Sequence, residues 1–286
     1  MTGLIQTWIG KCVCPAQTSY TQFLTYIGRY VCPAQVSNDI IKIQQNKVDH
    51  TLRIFIPGNA YRLDNPHDLN LILNKNITHI INWPQNKNCK TSNELLSYMY
   101  KRIDDLCSQN KNIKNVELYG HSLGGHAALM CALHINKKLN LITSKVTTIN
   151  TFTSLNQAIL EGCTFPYDLI ISTLILALTS IFIIPISQVT LVVSLWITIR
   201  LFFPKLITKQ IAKIIKLCGW RMDNKEAIKR LSEYNTRIDI WQGTDDHRVR
   251  RNAQLANPYN NLNDYRNITV HTFKGTHRKL PTLLNP

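Results

Sequence analysis

Acidic residues are scarce in this chain: 17 Asp and Glu stand against 33 Lys and Arg in 286 residues, which gives a formal net charge of +16. Charged residues of either sign make up only 17% of the sequence and hydrophobic ones 44%, so neither intrinsic disorder nor a collagen-like fibre fits. Eight cysteines are present without one CxxC pair, which argues against a zinc ribbon or a thioredoxin-like site. Reduced thiols in a cytosolic compartment are the expectation. The first residues carry no basic region, and their apolar run is too short and interrupted for a secretory signal. Residues 169–199 lack charge of any sign.

What is present begins with a repeat. Residues 7–19 read TWIGKCVCPAQTS and residues 25–37 read TYIGRYVCPAQVS. Two copies are too few for a solenoid, which needs about three. They read as a duplicated arm over residues 1–37, packed on the main domain or touching a membrane through Trp8, Lys11, Tyr26, Arg29 and Tyr30. Acylation of Cys12, Cys14 or Cys32 would reinforce the second reading.

From residue 38 onward, short β-rich runs alternate with helical ones. Strands are expected over residues 39–43, 51–56, 77–83, 115–119, 145–152, 237–241 and 267–273. Helices are expected over residues 67–73, 94–107 (capped by Ser92), 124–135, 224–234 and 249–256. This alternation predicts an α/β fold with an open, mostly parallel sheet. The core is read in two parts, residues 38–155 and 222–286, separated by an insertion over residues 156–221.

The most informative stretch is Gly120-His121-Ser122-Leu123-Gly124-Gly125, which lies between a strand and an Ala- and Leu-rich helix. A serine in a strained strand-to-helix turn needs small neighbours, because adjacent backbones must approach closely. The turn lifts the Ser122 hydroxyl above the sheet, and the start of the helix favours negative charge there. On these residues the chain resembles the α/β-hydrolase superfamily, in particular its lipases and esterases.

The resemblance implies a triad in the chain order Ser, acid, His. The turn Gly243-Thr244-Asp245-Asp246-His247-Arg248-Val249 looks like the family's G-x-x-D-x-x-V and implies Asp246 as the acid, with Asp245 as the alternative one residue away. His277, in the loop after the last expected strand, is implied as the base, while His126, His247 and His271 read as structural. The backbone amides of Leu123 and Asn59 are implied as the oxyanion hole. At Pro57-Gly58-Asn59 a proline stands where the family often has histidine, but the donor is a main-chain amide and survives the change. The resemblance calls for no metal and no organic cofactor.

The insertion falls where the superfamily often carries a lid. Its 31 uncharged residues, split by Pro185, would reach about 46 Å as one helix, enough to cross a bilayer of about 30 Å. A single crossing would strand Ser122 and His277 on opposite faces, so a lid or a hairpin dipping into the membrane is expected. From Arg200 to Arg221 there are six basic residues and no acid. Ile207, Ile211, Ile214, Ile215 and Cys218 recur at helical spacing among them, with Lys205, Lys209, Lys213 and Lys216 on another face, the pattern of a basic amphipathic helix at an anionic lipid surface. The basic excess therefore points to a lipid surface in preference to nucleic acid.

The expected function is a membrane-associated serine hydrolase cleaving lipid acyl esters. A soluble carboxylesterase or acyl-thioesterase with an apolar cap is the alternative, and an inactive hydrolase-like membrane interaction module is the third reading. The expected partners are a lipid or ester substrate and an anionic membrane surface. The expected location is the cytosolic face of a membrane, or another cell's membranes if the protein is a secreted bacterial one.

Overall fold

The computed structural model describes residues 40–42, 50–58, 77, 79–83, 91–110, 112–139, 141–161, 204–277 and 279–281. Seven strands among them form one sheet: β1 (Ile40–Lys42), β2 (Thr51–Ile56), β3 (His79–Ile81), β4 (Asn115–His121), β5 (Ile142–Ile149), β6 (Arg237–Gly243) and β7 (Ile268–Phe273). The spatial order is β1-β3-β2-β4-β5-β6-β7, with β1 antiparallel to β3 and every other pairing parallel. The helices are α1 (Ser92–Gln109), α2 (Leu123–Lys138), α3 (Leu155–Leu160), α4 (Pro204–Leu217) and α5 (Asn224–Ser232).

The strand sequences explain the layering. In β2 every residue except Arg53 is buried, and alternate side chains leave by opposite faces. Ile54 and Ile56 join a large core with Leu118 of β4 and Leu129 of α2. Phe55 and Tyr119 join a smaller cluster with Ile77, Ile80, Ile149 and Leu280. Helix α2 packs on β4 and β5 and touches α1 and α5. It is buried along most of its length, which its Ala-rich sequence permits.

This topology fixes where a site belongs. After β2 the chain places β3 on one side and β4 on the other, so the strand order reverses at β2. Ligands of open α/β sheets bind beyond the carboxyl ends of the strands at such a switch point. Ser122 follows the carboxyl end of β4, next to that of β2.

Several expected boundaries shift for identifiable reasons. Thr91, not Ser92, caps α1, accepting the Glu94 amide at 3.2 Å. Ser92 instead donates its hydroxyl to the carbonyls of Gly219 and Arg221, which ties α1 to the turn after α4. The strand expected over residues 145–152 runs from Ile142 to Ile149, because Asn150 turns the chain with φ +50°. In place of a helix over residues 249–256 there is one 3₁₀ turn, Arg251–Ala253; Gln254 bridges to Phe152 and the Leu255 amide bonds the Thr151 carbonyl. The residue 67–73 helix, the residue 1–37 repeat and the apolar run over residues 169–199 lie outside the described residues. Among those described, no helix is long and apolar enough to cross a membrane.

Candidate active site

Ser122 occupies the one-residue junction between β4 and α2 with φ +53° and ψ −117°. A non-glycine residue held at positive φ is strained and persists only where its surroundings over-determine it. Here they do: its amide donates to the Ile149 carbonyl at 2.8 Å, and its carbonyl accepts the Gly125 amide at 3.0 Å. The flanking glycines follow from crowding. A Cβ on Gly120 would overlap Gly124, one on Gly124 would overlap the Ile56 carbonyl, and one on Gly125 would overlap the Thr151 hydroxyl. Helix α2 can therefore begin against β2 and β5 only with glycine at these positions.

Two residues distant in sequence complete a hydrogen-bonded relay. The Ser122 hydroxyl lies 3.0 Å from His277 Nε2, and His277 Nδ1 lies 2.9 Å from Asp246 Oδ2. His277 sits in the loop after β7 and Asp246 in the turn after β6, and both are buried. Asp246 Oδ1 accepts the amides of Arg248 (2.9 Å) and Val249 (3.0 Å), and Oδ2 accepts Gln242 Nε2 at 3.0 Å. Burial pushes the Asp246 carboxyl up, but the bond and charge of His277 and the donors from Val249 and Gln242 more than offset this, leaving its pKa below the ordinary value. It is a carboxylate held by N–H groups.

Asp245, the alternative acid, makes no such contact. It is half-buried, its amide donates to the Gly275 carbonyl at 3.1 Å, and its carboxylate accepts the Thr244 hydroxyl at 3.3 Å. His126 is buried against Asn224 at 2.7 Å, with burial pulling its pKa down to about 4. His271 stacks on Trp241, and His247 is exposed. Leu123 is the first residue of α2, where leading amides lack intrahelical acceptors. Asn59 lies outside the described residues, although Gly58 before it packs against His121 and Ser122.

The matching family is decided over most of the chain: the Esterase family model covers residues 78–283. The chain belongs to the Esterase family. Among solved structures, this esterase is similar to Est1E from Butyrivibrio proteoclasticus, at 13% identity over 84% of each chain with a TM-score of 0.51, a likeness of fold. A lipase-esterase related protein from Clostridium acetobutylicum aligns at 15% identity over 84% of this chain and 91% of its own, with a TM-score of 0.49. MenH from S. aureus aligns at 15% identity over 84% and 90%, with a TM-score of 0.45. No curated protein matches the sequence. The esterase has an α/β-hydrolase fold.

Three residues of the site were given no role from the sequence: His121, Asn150 and Gln242. Asn150, fully buried at the end of β5, donates to the carbonyls of His277 (2.9 Å) and Thr276 (3.3 Å) and accepts the Gly243 amide at 2.7 Å. His121 Nε2 donates to the same His277 carbonyl at 2.6 Å. The available signal for Asn150 was an asparagine closing the β-branched run Val146-Thr147-Thr148-Ile149, since asparagine tolerates the left-handed turn that ends a strand.

Proposed function

We propose that this esterase is a serine hydrolase whose nucleophile is Ser122, base His277 and acid Asp246. The observation that carries the reading is the relay of 3.0 and 2.9 Å linking the three side chains. His277 takes the Ser122 proton as Oγ attacks the acyl carbonyl, and Asp246 accepts the Nδ1–H bond and stabilises the imidazolium. The tetrahedral oxyanion rests on the Leu123 and Asn59 amides. His277 then gives its proton to the departing alcohol, leaving an acyl-enzyme, and water activated by the same imidazole releases the acid.

The substrate proposed is a lipid acyl ester, met at an anionic membrane surface on the cytosolic side. Helix α4 supports this. Ala212 and Ile215 are buried, whereas Ile214 and Leu217 are 49% and 70% exposed beside Lys209, Lys213 and Lys216. Ile214 thus departs from the apolar face expected of it and stands with the lysines. Basic residues near an anionic leaflet contribute about 1 kcal/mol each, so such a face supports reversible docking. A soluble carboxylesterase or thioesterase is the second reading. It is favoured by Ala212, Ile215, Trp220 and Met222 joining the main core, as a fixed cap would.

A fluorophosphonate probe should label the protein and fail to label Ser122→Ala; equal labelling of both refutes the assignment of the nucleophile. Flotation with anionic liposomes should be lost in an Ile214→Ser, Leu217→Ser double variant that still hydrolyses a soluble short-chain ester. Flotation unchanged by the double variant removes α4 as the docking face, and absence of flotation in the parent protein favours the soluble reading.

A further inference from the structure

Beyond the relay itself, the His277 carbonyl oxygen is gripped by two buried donors from two different strand ends. His121 reaches it from the close of β4 at 2.6 Å, and Asn150 from just past β5 at 2.9 Å. We propose that His121 and Asn150 form a clamp that positions the His277 main chain, and with it the imidazole, between Ser122 and Asp246. The proposal rests on the serine-hydrolase reading above. Both side chains hold the His277 main chain, and the His121 ring also lies tilted against the His277 ring with centroids 5.1 Å apart, so both are positioning residues.

The clamp is cross-braced to the acid. Asn150 Oδ1 accepts the Gly243 amide at 2.7 Å and Gln242 Nε2 at 3.3 Å, and the same Gln242 nitrogen reaches Asp246 Oδ2 at 3.0 Å. One asparagine therefore ties the loop of the base to the turn of the acid. His121 ties that loop to the nucleophile, because it is the residue before Ser122. The requirement for a clamp follows from the loop, which follows the last described strand with no regular element after it among the described residues. A displacement of about 1 Å in such a group costs on the order of 100-fold in rate. Both donors are suited to permanence. Burial pulls the His121 pKa down to about 3, so it stays a neutral Nε2–H donor over the working pH range, and Asn150 does not titrate.

The test compares Asn150→Gly, which keeps the left-handed backbone and removes only the amide, with His121→Leu and His121→Gln, the last retaining an N–H at similar reach. Ester hydrolysis should show kcat lower by about 30- to 100-fold in Asn150→Gly and His121→Leu with KM little changed, and His121→Gln should recover most of it. The acid limb of the kcat/KM profile should move to lower pH in the two damaged variants, as a loosened Asp246 bond stabilises the imidazolium less. Unchanged kcat, or a loss that follows thermal unfolding with an unmoved acid limb and no rescue by glutamine, overturns the clamp. Full hydrolysis by Ser122→Ala overturns the underlying reading as well; an inactive Ser122→Ala beside a fully active Asn150→Gly overturns the clamp alone.

A cavity of about 710 Å³ opens against the Asp246 turn, and neither Ser122 nor His277 lines it. Its lining brings together the exposed His247, Arg250 and Arg251. The one carboxylate in the lining is that of Asp246, whose oxygens already hold four nitrogen partners. From this independent observation we infer a binding site for a phosphate group, whose oxygens suit the planar donor fork of arginine. A soluble phosphate monoester and a phospholipid headgroup share that chemistry. Glycerol 3-phosphate titrated by calorimetry and phosphatidic acid in phosphatidylcholine vesicles separate the two sources. Saturable binding to either, weakened about tenfold or more in Arg251→Ala and in His247→Ala, is the expected result. Binding to neither, or binding undiminished in the variants, overturns the site.

Discussion

Two buried aspartates, seven residues apart, belong to the same stretch of chain and are held in opposite ways. Asp239, inside β6, is met by cations: Lys145 Nζ at 2.8 Å from β5 and Arg237 Nε at 3.1 Å from its own strand. Asp246, just past the strand, is met among the described residues by two amides, one glutamine and the His277 imidazole. A carboxylate neutralised by fixed charges is electrostatically complete. One held by neutral donors keeps its negative charge available to a proton arriving on the neighbouring ring, which is what a reaction with an imidazolium stage requires.

The comparison breaks most sharply under removal of each charge in turn. Asp246→Asn should lower ester hydrolysis by roughly three to four orders of magnitude, measured as kcat, with the fold intact by circular dichroism. Asp239→Asn should do the reverse, leaving kcat within about threefold while lowering unfolding free energy by roughly 1–3 kcal/mol in urea, the smaller end applying because Arg237 is 63% exposed. Loss of activity in the second variant without loss of stability would erase the distinction.

Smaller effects come from pH. His121 and His126 have folded pKa values lowered to about 3 and about 4, below the ordinary 6.5, so the unfolded chain takes up their protons first. Their contribution is fully present above pH 6.5 and is lost as pH falls toward the folded values. Between pH 6 and 4.5 the unfolding free energy measured in urea should fall as pH falls, with a slope of about 1.4 kcal/mol per pH unit for each histidine, and His126→Gln should remove one such increment. An unchanged slope in that variant contradicts the buried neutral state. The smallest effect belongs to Asp246: its folded pKa is depressed, so its stabilisation is present above its unfolded value and fades only as pH falls through the folded one. Asp246→Asn should therefore flatten the stability profile at the acid end alone.

Much of this was legible in the residues. The GHSLGG run between a strand and a helix located Ser122, and the glycine spacing carried its own steric reason, now visible as the overlaps a Cβ would create. The resemblance implied Asp246 from its turn and His277 from its loop, with Asp245 left as the alternative acid. What periodicity misjudged were segments whose conformation is imposed from outside. Residues 249–256 have a helix-compatible pattern, but pairing with Thr151 and Phe152 pulls them straight. Ile214 has helical spacing with Ile211 and Ile215 yet faces outward, because only the packing of α4 on the core decides which stripe is covered.

By itself, then, the sequence determined the α/β alternation, the strained serine turn and the concentration of basic charge before residue 221, since each is written in neighbouring residues and read through local sterics and periodicity. Tertiary structure alone decided that Asp246 and not Asp245 meets His277, and that His121 and Asn150 converge on one carbonyl. Those residues stand 156 and 127 positions from His277. Their meeting depends on strand order and parallel register, which long-range packing sets and no local pattern encodes.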